Sequence, residues 1–191
     1  MLPEPIAVMQ QVIDVLDNLG VPYLVGGSFA SSIYGTYRAT ADVDLVADLK
    51  SEHAAALVTA LGGQFYIDEE SVRDAIRLQR SFSAIHLTTL FKVDVFIPQQ
   101  RPYSSVQFER RIRQIVWTDP ECTVYLASVE DNLLAKLEWY RFGNEVSERQ
   151  WRDILGVIKT QGERLDLIYL RQWAVALKVA DLLEKALLEG Q

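Results

Sequence analysis

Apolar residues recur at Ile6, Met9, Ile13 and Leu16, three or four positions apart, and the run closes at Asn18 to Gly20. This predicts an amphipathic helix from Pro5 to Leu19. A short strand follows at Tyr23 to Val25, Gly26-Gly27 turns the chain, and Ser28 is placed to cap a short helix running to Tyr34. The period then changes to two. In Asp42-Val43-Asp44-Leu45-Val46 the apolar and acidic positions alternate, which predicts a strand over Val43 to Val46 with one face on a core. A helix is expected from Ser51 to Leu61, ended by Gly62-Gly63, then a weak strand at Gln64 to Ile67 and a helix at Glu69 to Gln79. Phe82 to Leu87 and Phe91 to Ile97 read as a hairpin joined by Thr88 to Leu90. Ile112 to Trp117 and Thr123 to Leu126 read as strands flanking the Asp119-Pro120 turn.

From Ser128 onward the helical period takes over, with helices expected at Val129 to Phe142, Glu148 to Thr160, Leu167 to Leu177 and Val179 to Leu188. The expected architecture is therefore α/β (α+β), a mixed sheet flanked by helices over residues 1–127 and an all-helical lobe over 128–191, the two packed as one compact unit.

Within this pattern the acids at 42 and 44 are out of place. Successive strand residues face opposite ways, so Asp42 and Asp44 share one face while Val43 and Leu45 point to the core. Two like charges held side by side repel, and the pairing makes sense when a divalent cation or another positive group sits between them. Asp94 poses the same question: Lys92, Asp94 and Phe96 share one face of their strand, and Val93, Val95 and Ile97 the other. Upstream, the backbone amides at Gly27 and Ser28, opening a helix, are a phosphate-facing device.

Composition narrows the chemistry. The chain has 191 residues, 49% of them hydrophobic, and a net charge of −7. The charge is spread evenly along the chain, which disfavours non-specific binding to duplex DNA. No run of about 18 apolar residues occurs, so no membrane span is expected, and the N-terminus lacks a signal-peptide layout; the cytoplasm is the expected compartment. With one cysteine, Cys122, and two histidines, His53 and His86, a metal would be bound through oxygen. The one basic cluster, Arg101, Arg110, Arg111 and Arg113, is either a grip on a phosphate-bearing substrate or a solvated surface. Both histidines are expected to be structural. Cys122 has no histidine near it in sequence to activate it. Trp139, Tyr140, Trp151, Tyr169 and Trp173 are expected to pack in a core rather than stack a base.

Carboxylates from neighbouring strands, with a glycine turn opening a helix, are the equipment of two-metal phosphoryl transfer. Gly26-Gly27-Ser28, then Asp42-x-Asp44, then Asp94 resembles the signature of the nucleotidyltransferase superfamily, the group with the DNA polymerase beta-type palm. Arg38-x-Thr40-x-Asp42-x-Asp44, with Ala127-Ser128-x-Glu130-Asp131-x-Leu133-x-x-Lys136 and Asp153, resembles its bacterial branch of abortive-infection toxins and small relatives. The resemblance covers roughly residues 20 to 160. It implies that Asp42, Asp44 and Asp94 ligate two Mg²⁺ ions, Mn²⁺ being an alternative, and that Asp94 helps deprotonate the acceptor. Gly26, Gly27, Ser28, Arg38, Lys136 and Asp153 would bind the nucleotide. It further implies an NTP substrate, an acceptor that is a tRNA, a protein or a small molecule, and an antitoxin or oligomer partner.

Two other readings compete. A nucleotidyltransferase fold can persist as a non-catalytic binding or regulatory module, and a haloacid-dehalogenase-type phosphatase is also built on Asp-x-Asp. The second needs a buried strand ahead of the first acid, and Arg38-Ala39-Thr40-Ala41 is not one.

Overall fold

The computed structural model describes residues 1–35 and 40–190. Among these, Met1–Gly26 with Thr40–Leu126 form one compact unit, and the described parts of Gly27–Ala39 and Ala127–Gln191 form another. No helix among the described residues is long and apolar enough to cross a membrane.

The first unit opens with α1 (Glu4–Asn18), whose buried residues Ile6, Val8, Met9, Val12, Ile13 and Leu16 make the expected apolar stripe. The fully buried β1 (Tyr23–Val25) follows. The chain then passes through α2 (Gly27–Tyr34), which belongs to the second unit, and returns as β2 (Asp42–Ala47). A 3₁₀ turn at Ser51–His53 leads into α3 (Ala54–Leu61), so the expected single helix has a tighter first turn. There the Lys50 N–H donates to Nδ1 of His53 at 3.0 Å, a structural use of that histidine. Next come β3 (Phe65–Tyr66) and α4 (Glu69–Leu78), whose N-cap Asp68 accepts the Ser71 N–H at 2.7 Å.

The expected hairpin is β4 (Ser81–His86) and β5 (Lys92–Phe96), paired antiparallel. The unit ends with α5 (Pro102–Glu109), β6 (Ile112–Thr118) and β7 (Glu121–Leu126). The α5 helix has no counterpart in the sequence reading, because the polar Ser104 and Gln107 take buried positions beside Tyr103 and leave no apolar stripe.

The seven strands form one mixed sheet in the order β3-β4-β5-β2-β1-β7-β6. Its centre is where β2 runs parallel to β5 and antiparallel to β1, which in turn pairs parallel with β7. Both β2 and β5 alternate as expected. Val43, Leu45, Val93 and Val95 are buried, while Asp42, Asp44, Lys92 and Asp94 stand half-buried on the other face.

The second unit is helical: α2 with α6 (Val129–Phe142), α7 (Glu148–Gln161), α8 (Leu167–Ala176) and α9 (Ala180–Glu189). All four C-terminal helices lie where the apolar period puts them. Ser128, Ser147 and Asp166 cap α6, α7 and α8 through side-chain oxygens. The α6 helix packs on α2, α7 and α8, and buries Leu133, Leu134 and Leu137 completely.

Candidate functional site

The parallel register of β2 and β5 sets Asp44 opposite Asp94 and Asp42 opposite Lys92. Neighbouring strands lie about 4.8 Å apart, so four charged side chains crowd one small patch of sheet. Asp94 is held on both sides. Its Oδ2 lies 2.6 Å from Nζ of Lys92, and its Oδ1 accepts the hydroxyl of Ser83, opposite it on β4, at 2.5 Å. The Asp94 side chain is only 16% exposed, Lys92 40%. The Lys92 ammonium is pushed above the ordinary lysine range, first by its hydrogen bond to Asp94 and then by the charges of Asp94, Asp42 and Asp44, against a cost of burial. The Thr40 hydroxyl lies 2.8 Å from the backbone oxygen of Asp42 and 3.0 Å from its Oδ1, a local turn that sets the acid at the start of β2.

The glycine turn is tied to the same strand. The Gly26 N–H donates to the Asp44 backbone oxygen at 2.9 Å. Gly27 has φ +60°, a left-handed conformation that disfavours any side chain and explains glycine there. Helix α2 starts at this glycine, so Ser28 lies in its first turn instead of preceding it as a cap, a correction to the sequence reading. Arg38 lies outside the described residues.

In the helical unit, Nζ of Lys136 on α6 meets Oδ2 of Asp153 on α7 at 3.0 Å, with the side chains 8% and 15% exposed. These two residues are thus brought together as a nearly buried ion pair. A second polar group lies at the start of α6. Asp131, fully buried, accepts the hydroxyls of Ser128 and Tyr169, each at 2.6 Å. Asn132 donates to Oγ of Ser31 at 2.8 Å, and Ser31 donates to the Gly27 backbone oxygen at 3.0 Å, a relay that locks α2 onto α6. Tyr34 donates to the Ala127 backbone oxygen at 2.7 Å; burial, then the charges of Glu130 and Asp131, push its phenol up to about 12. Glu130 accepts the Asp166 N–H at 3.1 Å, so both acids of the Glu130-Asp131 pair make contacts within the helical unit.

The basic cluster is divided. Arg101 and Arg111 line a cavity of about 740 Å³ together with Lys50, and Arg110 and Arg113 are not part of its wall. Arg111 also stacks 4.7 Å over the ring of Tyr125. Cys122 is buried, and burial pushes its thiol up, the wrong direction for a nucleophile. Core packing holds for Tyr140 but not for Trp139, which is 51% exposed. Lys92 and Ser83 are members of this face that the sequence alone does not single out as site residues. Lys92 shares a face with Asp94 by simple alternation, but its pairing with the acids needs the β2–β5 register, and Ser83 arrives from a third strand.

No family model matches the chain, and no curated protein matches it. Solved structures do. An antigenic nucleotidyltransferase-like protein from Paracoccidioides brasiliensis is 20% identical, with TM-score 0.53 over 92% of this chain and 93% of that one. The antibiotic-resistance factor ANT(2'')-Ia is 13% identical, with TM-score 0.58 over 94% of this chain and 96% of that one. In its complex with adenylyl-2''-tobramycin it gives a TM-score of 0.57 at 12% identity, over 91% and 96% of the two chains. The chain has the nucleotidyltransferase fold. Its mixed sheet and flanking helices agree with the class that the motifs imply.

That resemblance implies a divalent cation. Among the described residues no three His, Cys, Asp or Glu side chains form a ready ligand cluster. The donor chemistry nevertheless fits. Asp42, Asp44 and Asp94 are hard oxygen donors at adjacent register positions on one face, and an ammonium already stands among them as counter-charge.

Proposed function

We propose that this chain is a nucleotidyltransferase that moves a nucleoside monophosphate from an NTP to an acceptor and releases pyrophosphate. The observation that carries the reading is the placement of Asp42, Asp44 and Asp94 on one face of adjacent parallel strands, in a nucleotidyltransferase fold, with Gly26 hydrogen-bonded to the strand that bears two of them. The three carboxylates are the proposed ligands of Mg²⁺, which when bound supplies charge neutralisation for the triphosphate and its leaving group. Asp94 is the proposed acceptor of the proton lost by the attacking oxygen. Amides of Gly27 and Ser28 hold phosphate oxygens, as the positive end of a helix does. Arg38, Lys136 and Asp153 complete the nucleotide contacts that the motif resemblance implies.

Of the acceptor classes, an aminoglycoside-like hydroxyl is supported by the adenylyl-tobramycin complex of ANT(2'')-Ia. A tRNA or a protein hydroxyl is tested alongside it. Isothermal titration of NTPs with Mg²⁺, followed by labelled-NTP transfer into a cell extract, decides the matter. Binding lost in Asp42→Ala/Asp44→Ala, with a labelled product from the native protein only, is the expected result. Binding that survives the double substitution overturns it.

One observation favours the second reading, a non-catalytic module: both oxygens of Asp94 are engaged, by Lys92 and by Ser83. Nucleotide binding without any labelled product would select that reading.

A further inference from the structure

Lys92 is a charged residue of the carboxylate face to which neither the fold nor the transfer chemistry assigns a part. Its Nζ lies 2.6 Å from Oδ2 of Asp94, and its register partner across the parallel pair is Asp42. Ser83 takes the other oxygen of Asp94 at 2.5 Å, so the carboxylate is clamped between a hydroxyl and an ammonium. A hard divalent cation seeks the same oxygens as the ammonium and repels it at close range. The two cannot both bind Asp94 along one lone-pair direction. In the absence of a divalent cation, the Lys92 ammonium supplies positive charge to this acidic face from within the chain.

We propose that Lys92 is the resident counter-ion of this site and the competitor of its metal: it holds Asp94 while the site is empty and is displaced when a divalent cation enters, so that it sets the metal affinity. This rests on the reading of Asp42, Asp44 and Asp94 as metal ligands. The exchange trades one ion pair of Asp94 for another.

The test is Mn²⁺ binding to the full chain without nucleotide, followed by the loss of free-ion signal in electron paramagnetic resonance. Lys92 is 40% exposed, so its replacement does not open the core. Lys92→Gln is expected to tighten Mn²⁺ binding by about tenfold, as expected for the loss of one nearby like charge at an intermediate effective dielectric. Lys92→Arg, which keeps the charge, is expected to leave it near the native value. A larger Mn²⁺-induced rise in melting temperature for Lys92→Gln than for the native protein gives a second readout. Equal or weaker binding by Lys92→Gln, with native binding that disappears in Asp42→Ala/Asp44→Ala, overturns the role of Lys92 and leaves the metal site standing. No binding by either protein, or binding indifferent to the Asp42 and Asp44 substitutions, overturns both.

Discussion

Two polar clusters in this chain are built on opposite terms. On β2 and β5 three carboxylates stand with one lysine, half-buried and side by side on a sheet face. In the helical unit Lys136 pairs with Asp153, and the fully buried Asp131 is gripped by Ser128 and Tyr169. The bonds of the helical cluster run from α6 to α7 and from α6 to α8, and so tie the helices together. Strands β2 and β5 place three acids and one lysine on one face, an arrangement that suits an incoming cation. Exposure does not tell the two clusters apart, since Asp94 at 16% is about as sheltered as Asp153 at 15%; the number of acids placed near one lysine does.

The largest effect should come from the sheet. Replacing Asp42 and Asp44 together with alanine is expected to cut nucleotidyl transfer by roughly 10³-fold, several kcal/mol of lost charge stabilisation in the transition state. The same change should move the melting temperature of the metal-free protein by only a few degrees, because both acids stand half-buried on a sheet face and pack no core. Pyrophosphate release and scanning calorimetry measure the two. A melting temperature lowered by many degrees would place these acids with the structural group and erase the contrast.

Half of that contrast is visible in the sequence. Alternation alone put Asp42 and Asp44 on one face and Lys92 and Asp94 on another strand's equivalent face, because a period of two survives in any register. The pairing of Asp44 with Asp94 was not visible, since 50 positions separate them and only the β2–β5 register brings them level. The helices of the C-terminal third were readable from their apolar period, whereas α5 was not, with Ser104 and Gln107 buried where apolar residues were expected. Likewise nothing local links Asn132 to Ser31, 101 residues apart, though their hydrogen bond ties two helices together. What a single sequence carries is the face a residue occupies; which residue lies across from it is a property of the fold.

Next in size is the ion pair of the helices. Lys136→Met takes the ammonium from Asp153 in a sheltered place, and breaking such a pair from one side costs about 3–5 kcal/mol. Urea unfolding should show that loss, and Lys136→Met combined with Asp153→Leu should recover most of it. If the single change costs under about 1 kcal/mol, in the range of exposed pairs, the pair does not hold the helices and its two residues are better sought in nucleotide affinity.

The glycine at the head of α2 gives a smaller effect. Gly27→Ala forces a side chain into φ +60°, at a cost of about 1–2 kcal/mol. Loss of NTP affinity beyond that of stability, read by titration calorimetry, would mark the turn as a phosphate contact as well as a bend.

The finest comparison uses the same chemical bond in both clusters. Tyr169 donates to Asp131 at 2.6 Å and Ser83 to Asp94 at 2.5 Å, each a hydroxyl on a carboxylate. Asp131 has no exposure at all, so Tyr169→Phe leaves a buried charge one donor short and should cost about 1.5–3 kcal/mol. Ser83 is exposed, so water can replace its hydroxyl, and Lys92 stays in place on the other oxygen. Ser83→Ala should therefore cost under about 1 kcal/mol in urea unfolding. Its effect belongs instead on the metal: with the hydroxyl gone, Asp94 is freer to turn toward a cation, and Mn²⁺ affinity should change while stability barely does. Equal stability losses for the two substitutions would mean that Asp94 is held as firmly as Asp131, and that the sheet face is one more piece of architecture.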